Sequence, residues 1–190
     1  MALALVDIYN NAFAKIGVRA VTATTDICAQ NTLANTRFSI LLNRIVAEYP
    51  YFFAKTREVL STAESTAPAH GYSYKYSLPS GCLVVLPPED STIKYSVEGG
   101  YLLTDETSFN LIYLKLPSTY EKYDPIFLDV VIYSLASDIC YSLTNSNSLQ
   151  QDIDNKLMVL VNKAKILTNQ QMRDDEKQIN ITSNFIDCRY

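Results

Sequence analysis

The chain reads as an α+β protein: a four-helix bundle core, an antiparallel β lobe inserted between the second and third helices, and an extended C-terminal arm. Three observations predict this. Apolar residues recur at helical spacing near the start of the chain and again after residue 124. Between those blocks the period shortens to two. After residue 170 the chain is polar and then closes on aromatic and apolar residues. The corresponding boundaries are 1–50 and 124–170 for the helical core, 51–116 for the β lobe and 171–190 for the arm.

The first helix is carried by Leu5, Ile8, Tyr9, Ala12, Phe13 and Ile16, with Gly17 in the left-handed closing position and Val18 beyond it. A polar loop, residues 22–26, leads to a second helix expected from about Asp26 to Glu48. Phe38, Leu41, Leu42 and Ile45 form its apolar side. Pro50 disfavours helical geometry at Tyr49 and ends it.

In the middle block, Tyr72, Tyr74, Tyr76 and Leu78 alternate with Ser73, Lys75 and Ser77, which predicts a strand with one aromatic face packed on the helices. Pro79, Ser80 and Gly81 turn the chain. Residues 82–86 form a continuous apolar run, expected as a fully covered strand. Ile93, Tyr95 and Val97 alternate with polar residues, and Gly99 and Gly100 predict a tight hairpin into Tyr101. Residues 109–116 are the last strand.

The third helix opens with Asp124 as N-cap and Pro125 at the first helical position. Two adjacent apolar rows run along it: Phe127, Val131, Leu135, Ile139 and Leu143, then Leu128, Ile132, Ala136 and Cys140. Such a helix must be covered on several sides. Asp129, Asp138 and the serines argue against a membrane span. After a break at residues 144–148, Ser148 with Gln151 has the form of a capping box. Ile153, Leu157, Leu160, Ala164 and Leu167 then make one narrow seam.

Composition sets limits on function. A chain of 190 residues with 48% hydrophobic and 19% charged residues is ordinary for a globular protein. Its net charge of -4 argues against phosphate contacts as a source of affinity. The short apolar start runs into Asp7, so no signal peptide is expected. Cys28, Cys82, Cys140 and Cys188 lack paired spacing and read as free thiols. His70 is the only histidine, so neither a zinc site nor a Ser/His/Asp set is expected. The five glycines have no phosphate-cradling spacing. Asp152 with Asp154, and Asp174, Asp175 and Glu176, read as solvated faces. No catalytic residue, cofactor or metal is expected. A monomeric glycan- or peptide-binding module using Tyr72, Tyr74 and Tyr76 is the alternative functional class.

Six segments occur in a suggestive order: 8–12 (IYNNA), 49–55 (YPYFFAK), 74–83 (YKYSLPSGCL), 95–105 (YSVEGGYLLTD), 123–127 (YDPIF) and 185–190 (FIDCRY). Together they resemble the tail tubular protein A family of short-tailed phages over nearly the whole chain. The family often has Trp where this chain has Tyr51 or Phe52, and commonly again at Phe185; an aromatic ring is kept at each. The resemblance implies a head-to-tail adaptor in the virion tail, assembled in the host cytoplasm. Family members form a ring, usually of twelve subunits, between the portal protein and the tail nozzle protein. Genome DNA passes through the lumen without specific binding, and no membrane or enzymatic activity is involved. From the resemblance and the tail pattern, Phe185, Ile186, Asp187, Arg189 and Tyr190 are expected to dock on the portal. Glu98, Gly99, Gly100 and Tyr101 are expected to meet the nozzle or a neighbouring subunit.

Overall fold

In the computed structural model, residues 4–180 are described, with side chains through residue 171. The protein is mixed α+β, with four helices and two small antiparallel sheets among the described residues. Chain contacts divide it into two units. The first holds Met1–Ile45, Tyr51–Phe53 and Pro117–Tyr190, and the second Val46–Pro50 and Ala54–Leu116.

In the first unit, α1 (Leu5–Lys15) buries Ile8, Tyr9, Ala12 and Phe13. Its start is held by Asp7, whose carboxylate accepts the Ala4 amide at 2.9 Å. Its end is the Schellman closure expected from sequence: Gly17 has φ +71°, and the Val18 amide reaches back to the Phe13 carbonyl at 3.0 Å.

Helix α2 (Ala29–Glu48) starts later than Asp26. The reason is local. Asp26 turns its carboxylate backwards, accepting the amides of Thr22 at 2.7 Å and Ala23 at 3.0 Å, so it closes the preceding loop instead of capping the helix.

Helix α3 (Pro125–Thr144) buries Phe127, Val130, Val131, Leu135, Ala136, Ile139 and Cys140. By length and composition it could cross a membrane, with a mean hydropathy of 1.6. Its apolar residues also find packing partners, since α3 lies against both α1 and α4. Asp124 stands at the N-cap, but its side chain makes no capping bond.

Asn145, at φ +51°, ends α3 in the left-handed region. Helix α4 then runs through Asn147–Asn180. Its capping hydroxyl comes from Ser146, which accepts the Leu149 amide at 3.3 Å, and not from Ser148 as expected. The seam is present, with Ile153 and Ala164 buried, but it continues to Thr168 while Leu167 is 42% exposed. The backbone remains helical to Asn180, which corrects the expected extended arm over residues 171–180. Gln170, Gln171, Met172, Arg173, Glu176 and Lys177 favour a helix, and no Gly or Pro interrupts them.

The N-terminal end of α3 meets a cluster of rings. Tyr51, Phe53 and Tyr123 surround Phe127, with centroid separations of 4.7, 4.7 and 5.6 Å. Tyr120, from the 3-10 turn Tyr120–Lys122, links Tyr123 to Phe38, and Phe38 meets Tyr9 of α1. The segments that leave this unit and return to it are therefore pinned by aromatic contacts.

The second unit contains β1 (Lys55–Leu60), β2 (Tyr74–Ser77), β3 (Val84–Leu86), β4 (Tyr95–Glu98), β5 (Tyr101–Thr104) and β6 (Phe109–Leu114). One sheet has the order β1-β6-β3 and the other β2-β5-β4. Strand β1 was not expected: Lys55, Arg57 and Glu58 obscure its alternation, as suits an edge strand. The run at residues 82–86 is not a covered strand either. Only Val84–Leu86 pairs, and it is a half-buried edge beside β6. Leu60, Tyr76, Leu102, Phe109, Leu111 and Tyr113 form one core drawn from both sheets. The aromatic face of β2 thus packs within the β unit, where it has the opposite sheet to cover it.

Candidate functional site

The turn end of the β4–β5 hairpin, expected to make contacts, is ordered by local chemistry. Gly99 and Gly100 have φ +57° and +84°, the pair of positive values that a two-residue primed turn requires. Glu98 pairs with Tyr101 across the strands. Its carboxylate accepts the Ser96 hydroxyl at 2.7 Å, and the Lys75 ammonium sits 3.7 Å from the centroid of the Tyr101 ring. Glu98, Gly99 and Gly100 are exposed and Tyr101 is half-buried. Phe185, Ile186, Asp187, Arg189 and Tyr190 lie outside the described residues.

The tyrosine row does not form an open platform. Tyr76 is 1% exposed and donates its hydroxyl to the Glu106 carbonyl at 3.0 Å, while Tyr74 packs against the same core. Burial pushes the Tyr76 phenol up, with smaller contributions from Tyr74 and Glu106.

Concave surfaces occur on both units among the described residues. On the second unit, Arg57, Val59, Pro88, Glu89, Asn110 and Ile112 line a hollow of about 510 Å³, crossed by an Arg57–Glu89 ion pair at 3.0 Å. Nearby, Asp90, Lys94, Asp105 and Glu106 line one of about 320 Å³. Two of its acids have partners already. Thr92 donates to Asp90 through its hydroxyl and amide, which lowers the Asp90 pKa. Ser73 donates its hydroxyl and its amide to Asp105, each at 2.9 Å. On the first unit, Lys15, Asp129, Tyr133, Lys156, Val159 and Leu160 line a groove of about 510 Å³ between α1, α3 and α4.

Among the described residues, no group of three or more His, Cys, Asp or Glu is placed to hold a metal ion. His70 is exposed on its loop. Asp154 accepts the Ser137 hydroxyl and so joins α4 to α3. Cys140 is buried beside Thr144, and burial pushes the Cys82 thiol up, away from a reactive thiolate.

Sequence reasoning passed over the groove and Ile27. Val159 and Ile166 fall off the four-three seam of α4 yet are apolar, which is a legible sign of a second face. Ile27, taken for part of a helix, belongs to the loop before α2. No protein-family model matches this chain, and neither does any of the curated proteins.

Proposed function

We propose that this protein is a structural component of a phage virion: a head-to-tail adaptor that joins the portal protein to the tail nozzle protein as a ring, usually of twelve subunits in the family it resembles. The observation that carries the reading is the order of the six segments along the chain. Five of them fall on packing or turning positions: the buried face of α1, the aromatic exit from α2, strand β2 and its following turn, the β4–β5 hairpin, and the entry to α3. Residues at such positions set the shape of a fold, so a shared order there is more telling than the same matches on an exposed face.

In this reading α1 to α4 pack as a four-helix bundle core, and the β unit inserted between α2 and α3 offers a second, chemically different surface. A closed ring needs two unlike complementary faces on each subunit. The net charge of -4 suits a lumen that DNA slides through without being held. The chain catalyses no reaction. Phe185, Ile186 and Tyr190 act as apolar anchors on the portal, oriented by Asp187 and Arg189. The hairpin at Glu98, Gly99, Gly100 and Tyr101 meets the nozzle or a neighbouring subunit.

Deleting residues 184–190 is expected to abolish co-sedimentation with the portal and leave the circular dichroism spectrum and melting temperature unchanged. Undiminished co-sedimentation of the truncated chain would refute portal docking by the arm. Light scattering on the full chain, with and without portal, tests the ring itself: no stoichiometric complex under either condition removes the adaptor reading.

A further inference from the structure

Strand β1 closes one side of its sheet. The order β1-β6-β3 gives it β6 as a neighbour and, among the described residues, no strand on its other side. The Lys115 amide donates to the Ala54 carbonyl at 2.8 Å, one step before the first paired residues, Lys55 and Leu114. Bonded and non-bonded pairs alternate along an antiparallel ladder, so Ala54, Thr56, Glu58 and Leu60 turn their amides and carbonyls toward β6. Lys55, Arg57 and Val59 then carry theirs on the open edge. That edge is accessible: Arg57, Glu58 and Val59 are exposed, Val59 at 61%.

The hollow of about 510 Å³ lies beside it. Arg57 stands opposite Ile112 and Val59 opposite Asn110, so these four side chains share one face of the sheet, and all four line the hollow together with Pro88 and Ile93. A strand added along β1 places every second side chain on that same face, at the mouth of the hollow.

The charge of the hollow selects what such a strand carries. Glu58, Glu89 and Asp90 line it against Arg57 alone. Glu89 pairs with Arg57 at 3.0 Å. Glu58 accepts the Tyr113 hydroxyl at 3.1 Å, and Asp90 accepts the hydroxyl and amide of Thr92. Those donors are neutral, so they orient Glu58 and Asp90 without cancelling their charge. The smaller hollow that shares Asp90 and Ile93 adds Asp105 and Glu106 against Lys94. A cation is therefore what this surface lacks. Pro88, Ile93 and Ile112 suit the hydrocarbon stem of a long basic side chain. Lys55, Arg57 and Glu58 along β1 itself resist indiscriminate pairing with flat apolar strands, so a partner has to match in charge.

We propose that β1 receives an extended segment of a partner protein as an added strand, with a lysine or arginine of that segment reaching into the hollow. Main-chain bonds to Arg57 and Val59 supply affinity, and the hollow selects the basic side chain. The contact uses neither the C-terminal arm nor the turn from Glu98 to Tyr101, and it stands or falls apart from the adaptor reading.

The probe is a short peptide with blocked ends that alternates threonine with valine and carries arginine at its centre, offered to the full chain up to millimolar concentration. Backbone amide NMR shifts are expected at Arg57 and Val59 and along residues 88–93. Replacing the central arginine by glutamate weakens binding about tenfold or more, and so does the double change Glu89→Gln with Asp90→Asn in the protein, both positions being exposed. Methylating the peptide amides that face β1 abolishes binding. A glutamate peptide that binds as tightly as the arginine peptide overturns the selection for a basic side chain. A methylated peptide that still binds, or shifts confined to other parts of the chain, overturns strand addition. No binding at millimolar peptide overturns the contact altogether, whatever the chain does with portal.

Discussion

Helices α3 and α4 are neighbours in the chain and pack on each other, yet they solve different problems. Along α3 the buried residues Phe127, Val130, Val131, Ser134, Leu135, Ala136, Ile139 and Cys140 cover most of the circumference. Along α4, with nearly twice the length, only Ile153, Ala164 and Thr168 are buried among the described side chains. Met158, Val159, Ile166 and Leu167 are apolar and stay exposed. The difference teaches that apolar content alone does not define a core. What counts is whether neighbours exist on each side: α3 packs on α1 as well as on α4, while these four side chains of α4 stay exposed. Fold stability is thus concentrated in α3, and surface available to partners in α4.

The sharpest way to break this contrast is a matched pair of truncations. Leu135→Ala empties a site that is fully buried and is expected to cost about 2–5 kcal/mol. Leu167→Ala, on the outer face of α4, is expected to cost less than about 0.5 kcal/mol. Urea denaturation of both variants checks the pair, and comparable losses would erase the distinction.

A second effect separates the helices by pH, because α4 contributes no aromatic residue and α3 starts within the ring cluster. Burial, helped by Tyr120, pushes the phenols of Tyr9 and Tyr123 from 10.0 up to about 12. The sign follows from proton counting. Between these values the folded chain holds protons that the unfolded chain has released, so stability is fully present below pH 10 and is lost as pH rises toward 12. Denaturation midpoints measured across that window should fall, and replacing Tyr123 by Phe should flatten the fall. A midpoint independent of pH from 10 to 12 would contradict the buried placement.

The smallest effect lies at the joint between the two helices. Asn145→Ala forces a Cβ-bearing residue without asparagine's local hydrogen bonding into φ +51° and should cost about 1 kcal/mol, whereas Asn145→Gly should be close to neutral. Thermal melts of the two variants resolve the difference.

Much of this was legible in the amino-acid order, for identifiable reasons. The Gly17 closure of α1, the Gly99 and Gly100 turn and the Pro125 start of α3 depend on backbone preferences of single residues, which act wherever the residue is placed. Periodicity exposed the core faces of α1 and α3 because burial there is strong and one-sided or nearly complete. Strand β1 escaped notice because an edge strand needs little alternation, and its partners on β6 are distant in sequence, from Leu60 with Phe109 to Lys55 with Leu114, with a Tyr113 to Glu58 hydrogen bond added between side chains. Of the two capping expectations, Asp124 stands at the N-cap of α3 as expected, although its side chain makes no capping bond, while the hydroxyl that caps α4 is that of Ser146 and not of Ser148: several polar side chains stand near a helix start, and only the folded backbone decides which one reaches an amide.

Local preference and spacing therefore determined the four helices, the hairpin and the α+β class. Tertiary structure decided which apolar residues are core and which are surface. Ile27, Val159 and Leu135 are indistinguishable by polarity. Only the position of neighbouring elements leaves the first bare on a rigid loop, the second lining a groove and the third sealed inside, because burial is a property of what surrounds a side chain and not of the side chain itself.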